Sequence, residues 1–330
     1  MQISVFGLYS GSSFDIIFMS ELFCIIKYGS DKTVKVLLIY YTGTYNTRFL
    51  TDRVAERFEN INYSVDRVEI NSEAPTVQTD GYDYIGLGYP IYGFNTPHPF
   101  MEYFKKLRFV RGQKYFIYKN SGETFAMNNA SSRKILRKMD RAGARFCGEY
   151  HFVMPYNIHF EFDENFIKQI ICEDKKLLDI MFYNLSNRIE PEIKSKLIYN
   201  VGAFFVGIQS IGGNVNSFFY RVDKDKCNKC GLCAKNCPRK NVSLKDGKVR
   251  FGHSCDMCMR CSFYCPQKAI KIGFLQGWQV NKYYDLEKLW NSAAPAEPYI
   301  TENSSGFYKC FIKTFNDIDT RYSEISAETK

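Results

Sequence analysis

The 330-residue sequence has no apolar run long enough to span a bilayer: the longest internal one, Leu197 to Ile211, is interrupted by Asn200 and Gln209. A secretory signal is missing too, since the first basic residue is Lys27 and both Asp15 and Glu21 break the opening apolar stretch. No catalytic triad or paired acid and base stands out. A nicotinamide fingerprint is also lacking, because Gly86 and Gly88 in "GYDYIGLGYP" close a strand instead of opening a helix with a third glycine. These absences argue against a membrane-spanning or exported protein and against a dehydrogenase. They lead to the expectation of a cytoplasmic chain whose thiols stay reduced. What remains is an ordinary globular composition, 45% hydrophobic and 24% charged, in a chain long enough for two or three domains.

Cysteine is the exception to this plainness. Of twelve, Cys24, Cys147, Cys172 and Cys310 are scattered, and the rest fall in "CNKCGLCAKNCP" (227–238) and "CDMCMRCSFYCP" (255–266), an internal repeat offset by 28 residues. Each copy reads C-x2-C-x2-C-x3-C-P. Three thiolates at that spacing wrap one iron-sulfur cube, one to each of three irons, and the fourth faces away and ligates the other cube. By that rule Cys227, Cys230, Cys233 and Cys265 hold one [4Fe-4S] cluster, and Cys255, Cys258, Cys261 and Cys237 the second. Zinc is the competing reading of paired C-x2-C knuckles, but it has no use for a third Cys and a C-P in both copies. Between the copies, "VSLKDGKVRF" predicts a hairpin turning at Asp246-Gly247, and "AIKIG" predicts a returning strand. Residues 218–274 resemble the bacterial two-cluster ferredoxins.

The formal charge of +9 belongs to this segment, where 13 Lys and Arg between 221 and 273 face only four Asp. A basic stretch suggests an anionic partner. Here the thiolates and clusters themselves account for much of it, and a nucleic-acid partner is not expected.

Ahead of the cysteines, continuous apolar strands alternate with amphipathic helices: strands near 35–41, 63–70, 83–88, 114–118 and 147–154, helices near 46–59, 98–107 and 130–143. That order predicts an α/β, doubly wound parallel sheet covered on both faces. The first strand runs into "TGTYNT" (42–47), and with this strand order residues 35 to about 155 resemble the flavodoxins. Thr42, Gly43, Thr44, Asn46 and Thr47 match the family's phosphate loop, while Tyr45 stands where the family has Gly and is compatible only if its φ is negative or a strained value is tolerated. The resemblance implies FMN, with its phosphate on this loop and helix N-terminus. It also implies ring contacts from Tyr89, Pro90, Ile91, Tyr92 and Gly93 after the third strand and from Asn120, Ser121 and Gly122 after the fourth.

Together the two resemblances are to fused flavodoxin-ferredoxin proteins of anaerobes. The expected organisation is an N-terminal extension (1–33), a flavodoxin-like domain (34–160), a helical connector (161–217), a small α+β two-cluster ferredoxin domain (218–274) and a C-terminal segment (275–330) whose tail after about 292 is polar and partly mobile. The implied function is electron transfer through two [4Fe-4S] clusters and FMN to a soluble, acidic redox partner. A flavin-dependent reductase of a small molecule, and a ferredoxin whose second domain only docks partners, stay open as alternatives. The oligomeric state is not legible.

Overall fold

The computed structural model describes residues 33–191, 195–207, 215–280 and 283–328. The expected N-terminal extension therefore lies almost wholly outside the described residues, as does Cys24.

Five parallel strands form the main sheet: β1 (Lys35–Tyr40), β2 (Ser64–Glu69), β3 (Tyr84–Pro90), β4 (Lys114–Ser121) and β5 (Arg145–Val153), in the order β2-β1-β3-β4-β5. This is the flavodoxin-like order, and the loops at the strands' carboxyl ends meet beside the place where it reverses, between β1 and β3. Alternation along β1 explains the layering. Leu37 and Ile39 point into one core with Ile85, Leu87, Ile117 and the helices α2 (His98–Lys106) and α3 (Arg133–Arg141). Val36 and Leu38 point into the other, with Phe116, Tyr118, Phe152 and α1 (Asn46–Glu59). Gly86 and Gly88 are small for a packing reason: a Cβ at Gly86 would run into Leu38 and Phe116, and one at Gly88 into Tyr118.

One element differs from expectation. Helix α4 (Glu164–Asn187), read from the sequence as part of a connector, buries Leu178, Met181, Phe182 and Leu185 in the second core and completes the cover of the sheet. Its own N-terminus is capped by Asp163, whose carboxylate accepts from the Asn165 N–H at 2.8 Å. Helix α5 (Leu197–Gly207) follows. The C-terminal segment also differs from the expected polar tail: α8 (Leu286–Trp290) and α9 (Lys309–Glu328) pack on α4, with Phe311 and Phe315 buried against Phe166 and Ile170.

The cysteine repeats fold as two short antiparallel pairs and two single-turn helices, α6 (Leu232–Lys235) and α7 (Arg260–Phe263). Strand β6 (Tyr220–Val222) pairs with β9 (Ile270–Ile272), the returning strand. Strands β7 (Val242–Lys245) and β8 (Lys248–Phe251) form the hairpin, with Asp246 and Gly247 at φ 50° and 67°, the left-handed pair that such a turn needs. No described helix is long and apolar enough to cross a membrane.

Candidate functional site

The sequence repeat is repeated in the backbone. Lys229 and Met257 are left-handed (φ 60° and 52°), as are Gly231 and Met259 (74° and 61°) and Lys240 and Lys268 (50° and 48°), each pair 28 residues apart. Holding a bulky residue at positive φ costs about 1 kcal/mol or more. These turns curl the chain so that its N–H groups face sulfur: Asn241 N–H donates to Cys237 Sγ at 3.2 Å and the equivalent Ala269 N–H to Cys265 Sγ at 3.3 Å. The Met257 N–H donates to Cys255 Sγ at 3.4 Å.

The thiols gather across the copies. Cys227, Cys230, Cys233 and Cys265 line one cavity together with Leu232, Pro266 and Ile270. Cys237 lies within electrostatic reach of Cys255, Cys258 and Cys261. Burial pushes the Cys255 thiol up to about 11 and Cys258 to about 12, so loading such thiols with metal has to displace protons. Among the described residues no three His, Cys, Asp or Glu side chains converge on a single-ion site. The two sets differ at one position: Cys230 is exposed, whereas Cys255, Cys258, Cys261 and Cys237 are all half-buried.

What encloses the second set is the "TGTYNT" loop. Arg260, 5% exposed, donates from Nε to the Gly43 carbonyl at 2.6 Å and from Nη2 to the Thr42 carbonyl at 2.7 Å. The same guanidinium reaches Glu69 and the Asn236 carbonyl, both at 3.3 Å, and lies 4.7 Å over the Tyr45 ring. Tyr264 donates to the Thr44 carbonyl at 2.8 Å and packs on Tyr45. Further out, Arg239 pairs with Glu102 and Asp256, and Lys240 with Glu73. Neither Arg260 nor Tyr264 stood out in the sequence. The signal that could have found them is a break in the repeat: Leu232 and Asn236 hold the equivalent places in the first copy, and Leu232 is 39% exposed where Arg260 is buried.

The loop keeps the shape of a phosphate cradle but not its vacancy. Tyr45 has φ 69°, ψ 0°, so the expected alternative of a negative φ does not occur and the strained value is the one adopted. A Cβ on Gly43 would meet the Tyr92 hydroxyl, the Cys258 carbonyl oxygen at 3.0 Å and the Cys258 Cβ at 3.4 Å. Thr42 and Thr47 are each 1% exposed, and Thr47 Oγ1 donates to Asn120 Oδ1 at 2.7 Å. Thr44 Oγ1 accepts from Asn157 at 2.9 Å, and Asn46 Nδ2 donates to the Pro155 carbonyl at 2.8 Å.

The residues expected to hold a flavin ring are similarly committed. Tyr89 is fully buried in the first core, against Phe100. Ile91 N–H donates to the Asn120 carbonyl, and Ser121 Oγ bonds His151 Nε2 at 2.7 Å. A Cβ on Gly122 would collide with the Tyr156 ring. Pro90 ends β3, and Gly93 (φ 50°) is exposed beside Val206 of α5. As these residues stand, tyrosine side chains pack over Gly43 and Gly122, where an FMN would need open backbone.

Residues 220–241 match the model of the 4Fe-4S binding domain. No curated protein matches. Solved structures similar to the first half include a flavodoxin from Streptococcus pneumonia TIGR4, at 20% identity over 47% of this chain and 99% of that one (TM-score 0.36). Flavodoxin 2 from Bacillus cereus matches at 16% identity over 47% and 99% (TM-score 0.34). A short-chain flavodoxin associated with a non-canonical PDU bacterial microcompartment matches at 17% over 48% and 99% (TM-score 0.35). Together with the strand order and the cysteine repeats, the 4Fe-4S match describes one chain in which a flavodoxin-like α/β domain is fused to a ferredoxin-type iron-sulfur segment.

Proposed function

We propose that this protein transfers electrons through two [4Fe-4S] clusters and carries no flavin. Cys227, Cys230, Cys233 and Cys265 would hold the first cluster, and Cys255, Cys258, Cys261 and Cys237 the second. The observation that carries this reading is the crossing of the repeats, with Cys265 lining the same cavity as the three cysteines of the other copy. Such clusters supply low-potential one-electron chemistry when bound. The chain's own part is to aim backbone N–H groups at the thiolate sulfurs, to shield the second set with the Thr42–Thr47 loop, and to balance thiolate charge with Arg260. The flavodoxin-like domain then serves as a wall for the second centre and not as a cofactor carrier; this shares the absence of FMN with the docking-domain alternative but gives the domain a different role.

Iron, sulfide and flavin analysis of protein purified without oxygen tests the proposal. Eight iron and eight sulfide per chain are expected by the ligand rule. Flavin should be absent, and added FMN should keep its fluorescence. Stoichiometric FMN would overturn the flavin-free part; iron near zero would overturn the whole. Cys237→Ala should remove the cluster of Cys255, Cys258 and Cys261 and spare the other.

A further inference from the structure

Two phenols beside the second centre have no polar partner but each other. The hydroxyls of Tyr41 and Tyr92 are buried, and neither has a hydrogen bond at ordinary geometry to another described residue; the Tyr41 hydroxyl is directed at that of Tyr92. One phenol can satisfy the other's O–H but not both, so the pair is left with a proton in need of an acceptor. Both belong to the flavodoxin-like domain, Tyr41 directly after β1 and Tyr92 after β3, and their rings meet edge to face at 6.3 Å. Both face Cys258. The Tyr92 hydroxyl and the Cys258 Cβ converge on the same point above Gly43, and after burial itself Cys258 has the largest influence on each phenol. Asp256 and Arg260 are the other charged groups facing them. Tyr220, the third phenol near these cysteines, differs in having Met259 Sδ as a partner at 3.9 Å.

Resting on the cluster reading above, we infer that Tyr41 and Tyr92 are hydrogen-bond donors to sulfur of the cluster on Cys255, Cys258, Cys261 and Cys237, and that they raise its reduction potential. The physical basis is direct. Reduction adds one electron and hence one negative charge, and an O–H dipole aimed at sulfur stabilises the more negative state. No tyrosine is among the described residues lining the cavity of Cys227, Cys230, Cys233 and Cys265, so the effect would be confined to one centre. Both tyrosines are thus positioning groups of the fused domain acting on the other domain's metal.

The test uses the full-length, cluster-loaded chain and its Tyr41→Phe and Tyr92→Phe variants, each removing one oxygen. A dithionite titration with redox mediators, followed by electron paramagnetic resonance, reads the two clusters separately. In each variant the half-reduction equilibrium of the second cluster is expected to move about tenfold toward the oxidised form, about 59 mV for one electron, with the first cluster unmoved. In the unaltered protein, exchange into D2O should shift Fe–S stretching bands in resonance Raman spectra, and the shift should shrink in the variants. Fully loaded variants with unchanged potentials, or bands in the unaltered protein indifferent to D2O, would overturn the inference while leaving the clusters in place. An iron count near zero in the unaltered protein would instead remove the reading beneath it.

Discussion

Arg260→Ala is the perturbation that most directly tests how the two domains hold each other. In the intact protein the guanidinium is 5% exposed and donates to two carbonyls at 2.6 and 2.7 Å, with Glu69 at 3.3 Å. Alanine would strand the Thr42 and Gly43 carbonyls and leave Glu69 without its cation. At about 1.5–3 kcal/mol for each charged hydrogen bond, less what entering water returns, the loss comes to about 3–5 kcal/mol. With an m-value of about 2–3 kcal/mol/M, that is a shift of roughly 1–2 M in a urea midpoint. The loss falls on the interface, so cluster absorbance should disappear at lower urea than far-ultraviolet ellipticity, and the two probes should separate. Arg260→Lys, able to reach one carbonyl at a time, should lose about half as much. An Arg260→Ala protein whose two midpoints stay within roughly 0.3 M of the parent, under 1 kcal/mol at that m-value, would refute the reasoning.

Other outcomes follow from the same coordinates. Lys119 and Glu149 form a fully buried pair at 2.6 Å, so Lys119→Met should destabilise the domain by about 3–5 kcal/mol in urea melts, and adding Glu149→Leu should recover most of it. Burial and the neighbouring Lys119 hold His151 down at about 3, against about 6.5 when unfolded. Only the unfolded chain takes that proton as pH falls below about 6.5, so stability should drop by about 1.4 kcal/mol between pH 7.5 and 5.5, and His151→Gln should flatten the profile. The basic pocket of Arg239, Lys240 and Arg250 opens beside Ser254, next to Cys255. Electron exchange with an acidic redox protein should therefore slow as salt is added, and Arg250→Glu should slow it at low salt; stopped-flow rates indifferent to both would remove the acidic partner.

Much of the first half was legible because its elements bury residues at strict periods. Every strand and helix between 35 and 153 lies within a few residues of where the apolar pattern put it. The Asp246-Gly247 turn and the paired cysteine copies were equally readable, since each depends on chemistry local to a few residues. Helix α4 was recognisable as a helix but not as a sheet cover, because Leu178, Met181 and Phe182 record an apolar face without naming what lies against it. In α9 the stripe of Phe311, Phe315, Ile318 and Ile325 is diluted by Lys, Asp and Thr, and the segment read as a polar tail. The loop at 42–47 was legible only in part: its pattern determines the backbone turn, but its contacts with Arg260 and Tyr264, more than 200 residues away, leave no local trace.

Equivalent positions in the two repeats, Leu232 and Arg260, have traded the exposure their chemistry would suggest. An oily side chain at the water's edge beside Cys230 is suited to dry contact with a visiting surface, whereas its counterpart is locked indoors. If both cysteine sets hold clusters as proposed, a partner seated on Leu232 would stand nearer the set of Cys230, and an electron on the set beside Arg260 would cross the first centre on its way out.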